Sequence, residues 1–475
     1  MEYEILKREK GKDSILLNGY IFYQNGQSSN TRTYWRCSNY YTTKCCARII
    51  VDNKMILKQS SEHNHAANAA KVEANKKMEN LRDQSKISIV GSTQEILSQA
   101  VSTVSSAASF YMPLKRSMQR SIRKIRQKEI IDYASIPLVL KDLIIPEKYK
   151  YTDKGDIFVL KDTGFKNPGI SNRIILMATN ENVKTLARCE EYFMDGTFKS
   201  CPKLFGQLYV IHGLYEGVPL ALVYVLLVNK STESYEKIFQ LLQEVTTLKP
   251  KKIHIDFEMS MIKALKKTFL NLKIVCCYFH LQKSIYRYLC TLGYKIKYDT
   301  DVEFSLQVRT LMALAFVPID YQEKYYGVLI KRDLLNDHQE FLSYFETNYF
   351  GTLRPDGVRR DARFERELWN FYEEARNKGH KTNNISEGFN NALNKIMKIS
   401  NPDIWQLIEG LKKKQGEMEF QKEQLLSQKE TGVPQRKKYK NASEYLSRLV
   451  ANFDKMDPFE YMKQIAIVTK IDFVN

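Results

Sequence analysis

Apolar residues along this chain follow three different patterns, which mark off its regions. Up to residue 60, apolar and polar residues alternate in ILLNGYIFYQNG and RTYWRC, which predicts hairpin strands with Asn25-Gly26 as a turn. From residue 155 to 290, strand-like runs such as PLALVYVLLVN alternate with helical patterns such as STESYEKIFQLLQEV. From residue 291 onward the apolar spacing is mainly helical. We therefore expect a small β-rich domain, an α/β core and helical segments.

Three acidic residues stand out in this pattern. Asp195 lies in the first of three consecutive strands, Asp256 closes the strand KKIHIDF, and Glu387 lies in the predicted helix TNNISEGFNNALNKI. Three sequential strands followed by alternating helices and strands is the order of an RNase H-like core. Two carboxylates at strand ends and one on a later helix could converge on two divalent cations about 4 Å apart, which clamp the attacking and leaving oxygens of a phosphoryl displacement.

Each acid also has a purely structural explanation. Asp195-Gly196 could form a hairpin turn, and Asp256 could cap the helix that follows its strand. Glu387 could complete a capping box that begins at Asn384. Together, in this strand order, the three acids favour a metal site.

Thiol and imidazole side chains cluster near the N-terminus. Cys37, the pair Cys45-Cys46, His63 and His65 supply the ligands that zinc prefers, and four of them close a tetrahedral structural site. The alternative is two buried cysteines and two surface histidines. The segment resembles the FLYWCH zinc finger in its YWRC, CxAR and HxH motifs, and the resemblance implies Cys37, Cys45, His63 and His65 as Zn²⁺ ligands. The adjacent Cys46 leaves the choice of cysteine open.

The chain is strongly basic. Lys and Arg number 73 against 54 Asp and Glu, giving +19 at pH 7, which favours a polyanionic partner such as DNA, RNA or lipid. The cations that could face phosphates are Arg36, Lys44 and Arg48 in the first segment and Lys115, Arg116, Arg120, Arg123, Lys124 and Arg126 in a predicted helix after Pro113. That helix and the one before it could form a helix-turn-helix. Ordinary solvated charge is the alternative for both groups.

The sequence argues against membrane insertion. The longest apolar run, VPLALVYVLLV, is too short to cross a bilayer, which needs about 20 residues, and the N-terminus lacks an apolar signal core. We therefore expect a soluble chain with no membrane partner. Its eight cysteines would then be reduced, where metal binding is favoured over disulfides.

Four motifs, in order, carry a second resemblance. FMDGTFKSCPKLFGQLYVIHG, IHIDFEMSMIKAL, CCYFHLQKSIYR and TNNISEGFNNALNK resemble the core of a MULE (Mutator-like element) transposase. The resemblance implies an RNase H-like fold and a DDE active site in which Asp195, Asp256 and Glu387 hold Mg²⁺ or Mn²⁺. It also implies a CxxH element at Cys277 and His280, which could position the site, contact DNA or only pack.

The resemblances imply a multidomain α+β and α/β protein in six parts. We expect a FLYWCH-type zinc finger at 1–66, a helical linker with a possible helix-turn-helix at 67–133, the first part of an RNase H-like core at 134–290, an all-helical insertion at 291–382, the last core helix with the third acid at 383–410, and a basic helical C-terminal region at 411–475.

The expected function is a cut-and-paste DNA transposase. It would bind double-stranded DNA at terminal inverted repeats and at the target, act in the nucleus, and work as a homodimer or higher oligomer. One alternative is a domesticated, non-catalytic DNA-binding regulator built from the same parts, and another is an RNase H-like nuclease that acts on RNA. The presence of all three acids favours an active enzyme.

Overall fold

The computed structural model describes residues 3–7, 12–27, 31–87, 93–131, 136–164, 172–332, 334–397, 401–427 and 437–469. The chain divides into two compact units. The first is Met1–Ile136 with Ile396–Ile399, and the second is Pro137–Lys395 with Ser400–Asn475.

A six-stranded antiparallel sheet opens the first unit. Its strands lie side by side in chain order, so each pairs with the next. They are β1 (Glu4–Lys7), β2 (Asp13–Leu17), β3 (Tyr20–Gln27), β4 (Arg32–Cys37), β5 (Arg48–Asp52) and β6 (Met55–Ser60). Among the described residues, the apolar core cluster of this sheet contains nine buried side chains, including Phe22, Trp35 and Cys45. So small a core gains from an additional cross-link.

The tight turn of this sheet differs from the predicted one. Asn18 and Gly19, between β2 and β3, have φ values of 50° and 80°, as a two-residue type I′ hairpin turn requires. Asn25 and Gly26 instead lie within β3, where the register with β4 shifts between Gln24 and Gly26. The prediction of a turn at Asn25-Gly26 was therefore wrong: the glycine marks a strand irregularity, a common role of Gly inside a strand.

Helices complete the first unit. They are α1 (Ala69–Ile87), α2 (Thr93–Ser102), α3 (Ser106–Ser109) and α4 (Lys115–Ile131). Leu81, Leu97 and Ile122 join α1, α2 and α4 in one apolar cluster. Residues 103–114, which contain α3, connect α2 to α4, whereas a helix-turn-helix has a turn of about 3–4 residues. This part of the chain is a small helical bundle rather than a simple helix-turn-helix.

A seven-stranded mixed sheet organises the second unit. Its strands are β7 (Val159–Asp162), β8 (Ile174–Met177), β9 (Glu191–Thr197), β10 (Gln207–Tyr215), β11 (Val218–Leu227), β12 (Lys252–Ile255) and β13 (Lys273–Cys276). The spatial order is β13-β12-β9-β10-β11-β8-β7. β9, β10 and β11 form an antiparallel meander, and β12 and β13 run parallel to β9. The strands predicted between residues 155 and 276 are confirmed.

Helices cover this sheet and form the rest of the unit. They are α5 (Glu147–Lys150), α6 (Asn180–Arg188), α7 (Thr232–Gln243), α8 (Met259–Thr268), α9 (Tyr278–Thr291), α10 (Lys295–Thr300), α11 (Val302–Met312), α12 (Ile319–Lys331), α13 (Gln339–Phe345), α14 (Tyr372–Arg376), α15 (Asn384–Met397), α16 (Ile404–Leu426), α17 (Lys437–Ala451) and α18 (Pro458–Val468). Five 3₁₀ turns and one π-helical turn lie among the described residues. No described helix is both long and apolar enough to span a bilayer.

The 291–382 region, expected to be all-helical, is largely non-helical in one part, residues 362–377. ARFERELWNFYEEARN forms only the 3₁₀ turn Arg366–Leu368 and the short helix α14. Trp369, fully buried between them, donates from Nε1 to the carbonyl oxygen of Tyr349 at 3.1 Å. The backbone N–H of Phe371 bonds to the carbonyl oxygen of Ala315 at 2.6 Å. Long-range contacts therefore replace the helical hydrogen bonds that the apolar spacing predicted.

Candidate functional site

Two of the predicted acids lie at one level on neighbouring parallel strands. His254 on β12 is paired with Phe193 on β9, and their rings stack at 4.5 Å between centroids. Asp256 comes two residues after His254, and Asp195 comes two residues after Phe193. Side chains two apart on a strand share a face, and neighbouring strands lie about 4.8 Å apart. The fold therefore brings Asp195, near the carboxyl end of β9, together with Asp256, which directly follows β12.

The structural explanations for these two aspartates do not hold. Asp195 and Gly196 lie inside β9, so they do not form a hairpin turn. Glu258, not Asp256, occupies the N-cap position of α8. Gly196 has a packing role, because a Cβ atom there would lie 2.5 Å from Oε1 of the buried Gln207.

The helix that carries the third acid begins at a buried asparagine. Asn383 precedes α15, and its carbonyl oxygen accepts the N–H of Glu387 at 3.3 Å. Its Nδ2 donates to the carbonyl oxygen of Met194 at 2.8 Å, and its backbone N–H donates to Sγ of Cys277 at 3.2 Å. Oδ1 of Asn383 accepts the hydroxyl of Ser386 at 2.9 Å. Asn383 thereby fixes the start of α15 to the strand that bears Asp195.

A polar stripe of α15 faces the strand that bears Asp195. Asn390 donates from Nδ2 to Oδ2 of Asp195 at 2.8 Å, and Oδ1 of Asn394 accepts the hydroxyl of Ser200 at 2.7 Å. Glu387 lies three residues before Asn390 and seven before Asn394, so the three share one face of the helix. The ring of Phe389 packs against His212 and Tyr224, with centroids 5.2 and 5.8 Å away.

The charges of the three acids act on one another. Burial raises the pKa of Asp195, the negative charge of Asp256 raises it further, and Glu387 adds to the rise. His280 and the backbone N–H of Gly196 oppose these effects, and the pKa of Asp195 is about 7. Burial and the neighbouring negative charges disfavour the ionised form of Asp195. A nearby cation would stabilise that ionised form.

The three acids are spaced more widely than the ligands of one ion. Although all three residues are described in the structure, one oxygen taken from each does not give a set in which all atoms lie within 4.8 Å of one another. This spacing fits a site with two metal ions. Two ions about 4 Å apart, each about 2 Å from its ligands, can be bridged by ligands on opposite sides that are up to about 8 Å apart.

Cys277 and His280, the CxxH pair, lie beside Asp256. Nδ1 of His280 is 2.9 Å from Oδ1 of Asp256, and the ligand atoms of the three residues lie within 4.8 Å of one another. Burial lowers the pKa of His280, but Asp256 and Cys277 together raise it to about 10. Cys277 is buried and accepts the N–H of Asn383. The structure therefore places both residues at the acids.

In the first unit, four side chains form a cluster that could hold zinc. Sγ of Cys37 lies 3.2 Å from Nε2 of His65, and Sγ of Cys45 lies 3.4 Å from Nδ1 of His63. All four ligand atoms lie within 4.8 Å of one another. Metal–ligand distances of about 2.0–2.3 Å in a tetrahedron put neighbouring ligands about 3.5 Å apart. The geometry fits a zinc ion of the Cys₂His₂ type.

The orientation of His65 also fits a metal ligand. Its Nδ1 lies 2.9 Å from the carbonyl oxygen of Ala66. This contact favours the tautomer with the proton on Nδ1, in which Nε2, the nitrogen next to Cys37, carries the lone pair. The choice between the adjacent cysteines is clear in this geometry. Cys45 is fully buried within the cluster, whereas Cys46 is exposed and outside it.

The cations predicted to meet DNA are mostly exposed. The Arg36 guanidinium lies over the rings of Tyr40 and Tyr41, at 4.8 and 4.6 Å. The exposed cations are Lys44 and Arg48 near the cluster and Lys115, Arg116, Arg120, Arg123 and Lys124 on α4. Arg126 is only 9% exposed, on the inner side of α4, so its position differs from the one expected for a phosphate contact.

Comparison with known protein families gives two matches. Residues 5–65 match the FLYWCH zinc finger domain, and residues 192–284 match the MULE transposase domain. The second match includes Asp195, Asp256, Cys277 and His280 and ends before Glu387. No curated protein matches the chain. Both resemblances inferred from the sequence are thus confirmed, and they support DNA binding and a transposase-family function.

Sequence reasoning missed two residues of the site, Asn383 and Asn390. A signal for Asn390 was present, because a residue three positions after Glu387 lies on the same helix face. The long-range partners of Asn383, Met194 and Cys277, left no local signal.

Proposed function

We propose that this protein is a DDE-type DNA transposase whose acids Asp195, Asp256 and Glu387 lie in an RNase H-like core. The strand order β13-β12-β9-β10-β11, with an antiparallel meander followed by two parallel strands, supports that fold. The observation that carries the proposal is the common level of Asp195 and Asp256, together with the hydrogen bond from Asn390 that joins α15 to Asp195.

The donor set of these acids fits hard divalent cations. Mg²⁺ and Mn²⁺ prefer carboxylate oxygens, and the three acids offer only oxygen ligands. Bound ions of this kind would activate water or a 3′-hydroxyl and stabilise the leaving oxygen. Asp195, once ionised, would be one of the ligands of such an ion; Asn390 orients its carboxylate, and Asn383 holds the helix of Glu387 in place.

We further propose that the first unit recognises terminal inverted repeats. The zinc cluster would stabilise the finger, while the exposed cations of α4 neutralise phosphates. Joining two ends of a DNA element requires both to be held at once, so a homodimer or a higher oligomer is the expected active form.

A cleavage assay tests this proposal. The full chain is incubated with Mg²⁺ and DNA that carries the inverted repeats flanking its gene. We expect cleavage at the repeat ends by the wild type, none by Asp256→Asn, and cleavage by the control Glu190→Gln, whose side chain is exposed just before β9. All three should bind the DNA equally. DNA binding without cleavage by the wild type would instead indicate a regulator, and preferential cutting of an RNA–DNA hybrid would indicate a nuclease acting on RNA.

A further inference from the structure

Three residues with different ligand chemistry meet at the ends of β12 and β13. These parallel strands pair Ile255 with Cys276, so Asp256 and Cys277 are the next residues on each strand and lie at one level. The N–H of Cys277 donates to the carbonyl oxygen of Ile255 at 2.9 Å, which fixes this alignment. His280 follows one helical turn later, on the first turn of α9.

Asp256 and His280 lie close together without forming a well-directed hydrogen bond. Oδ1 of Asp256 and Nδ1 of His280 are 2.9 Å apart, and both atoms are inaccessible to solvent. Neither atom makes a hydrogen bond of acceptable geometry with any group that the structure describes. Buried polar atoms without such a partner are costly and uncommon. A cation that replaces the proton of His280 would satisfy both atoms at once.

Cys277 supplies a third donor at the same place. Its Sγ, a ring nitrogen of His280 and an oxygen of Asp256 all lie within 4.8 Å of one another, the limit that the four residues of the zinc finger cluster also meet. The thiol accepts the N–H of Asn383 at 3.2 Å, and this contact holds the sulfur beside the other two donors.

We propose that Asp256, Cys277 and His280 form a second metal site, selective for a thiophilic divalent cation of the zinc class. A sulfur, a nitrogen and a carboxylate oxygen suit Zn²⁺, which accepts all three, and suit Mg²⁺ poorly, since it prefers oxygen. Three protein ligands leave a fourth coordination position open.

This site has a regulatory consequence that rests on the proposed transposase function. It shares Asp256 with the three catalytic acids, so a zinc-class ion bound there engages the same carboxylate that Mg²⁺ needs. Zinc would therefore inhibit Mg²⁺-dependent cleavage. The binding of the metal itself does not depend on that function.

Cobalt titration of the full chain tests the site without DNA. The finger is first filled with one equivalent of Zn²⁺, and Co²⁺ is then added in the presence of excess Mg²⁺. We expect a sulfur-to-cobalt charge-transfer band in the wild type. The band should be lost in Cys277→Ser, which keeps a hydrogen-bond acceptor for Asn383, and should persist in the control Cys290→Ser, altered elsewhere on α9. Thermal melting shows whether each variant is folded.

Other outcomes would overturn the proposal. No band in the wild type means that no such site exists. A band that persists in folded Cys277→Ser but vanishes in Cys45→Ser assigns the cobalt to the finger. An unchanged band in His280→Gln would show that His280 is not a ligand of the site.

A cleavage assay with added zinc separates this inference from the transposase proposal. Zinc should inhibit cleavage by the wild type. The zinc concentration that halves the cleavage rate should be at least tenfold higher for Cys277→Ser. If the wild type cuts no DNA, the transposase proposal fails while the cobalt titration still decides whether the metal site exists.

Discussion

Asn390 donates a hydrogen bond of 2.8 Å from Nδ2 to Oδ2 of Asp195, a residue 195 positions earlier in the chain. This contact joins the helix of the third acid to the strand of the first. It therefore links the conformation of one proposed metal ligand to the position of another.

Asn390→Ala should weaken metal-dependent cleavage. The substitution removes a hydrogen bond to a half-buried carboxylate, which is worth about 1.5–3 kcal/mol, or roughly 10- to 100-fold in rate if the bond orients Asp195 in the transition state. Cleavage rates at saturating Mg²⁺ measure the effect. Asn391→Ala is the matched control, since Asn391 is exposed on the same helix. Equal losses in both variants would contradict a specific role for Asn390.

Asp195→Asn should stabilise the protein in the absence of added Mg²⁺, and more so at higher pH. The pKa of Asp195 is about 7 in the folded protein, above its usual 3.8, so the folded state holds a proton that the unfolded chain releases. The free energy of unfolding of the wild type therefore falls as pH rises from about 4 to about 7. Asp195→Asn has no carboxyl at this position, so its free energy of unfolding lacks this decrease. We expect a gain on the order of 2–4 kcal/mol at pH 8 and little gain at pH 4.

Denaturant unfolding at several pH values measures this gain. Asp153→Asn, at an exposed position of the same unit, is the control. Added Mg²⁺ at pH 8 should stabilise the wild type and not Asp195→Asn. A stability difference that is independent of pH would show that Asp195 is not held in an unfavourable charged state.

Cys45→Ser should release zinc from the finger, and Cys46→Ser should not. Cys45 is buried beside Cys37, His63 and His65, while Cys46 is exposed outside the cluster. Since the sheet has a small core, loss of the metal should also unfold it. Zinc content and limited proteolysis of β1–β6 report the two effects. Zinc loss in Cys46→Ser alone would reverse the assignment.

The double variant Arg120→Ala/Arg123→Ala should bind DNA with a weaker salt dependence. Both side chains are exposed on α4, and each phosphate contact adds about 0.9 to the slope of log affinity against log salt. We expect the slope to fall by about 2 relative to the wild type. Lys86→Ala, an exposed cation on α1, is the control. An unchanged slope in fluorescence anisotropy titrations would mean that α4 does not contact phosphates.

Much of the sheet of the second unit could be predicted because its strands are strongly apolar. Runs such as LALVYVLL have few alternatives to a buried strand. The turn of the finger was missed because Asn18-Gly19 and Asn25-Gly26 carry the same local signal. Only the pairing of β2 with β3 and of β3 with β4 decides between them.

The candidate site was predictable to a similar extent. Asp195 and Asp256 could be found because acids that end or interrupt apolar strands are conspicuous. Asn383 could not, since its partners Met194 and Cys277 are more than one hundred residues away. Cys45 and Cys46 are neighbours of one type, and only their burial distinguishes them.

The most direct test of the central claim is a crystal structure of the full chain with Mn²⁺, whose anomalous scattering locates the ion. We expect two manganese peaks about 4 Å apart, held by Asp195, Asp256 and Glu387. No peak among these carboxylates, or peaks that persist in Asp195→Asn/Asp256→Asn, would contradict the central claim.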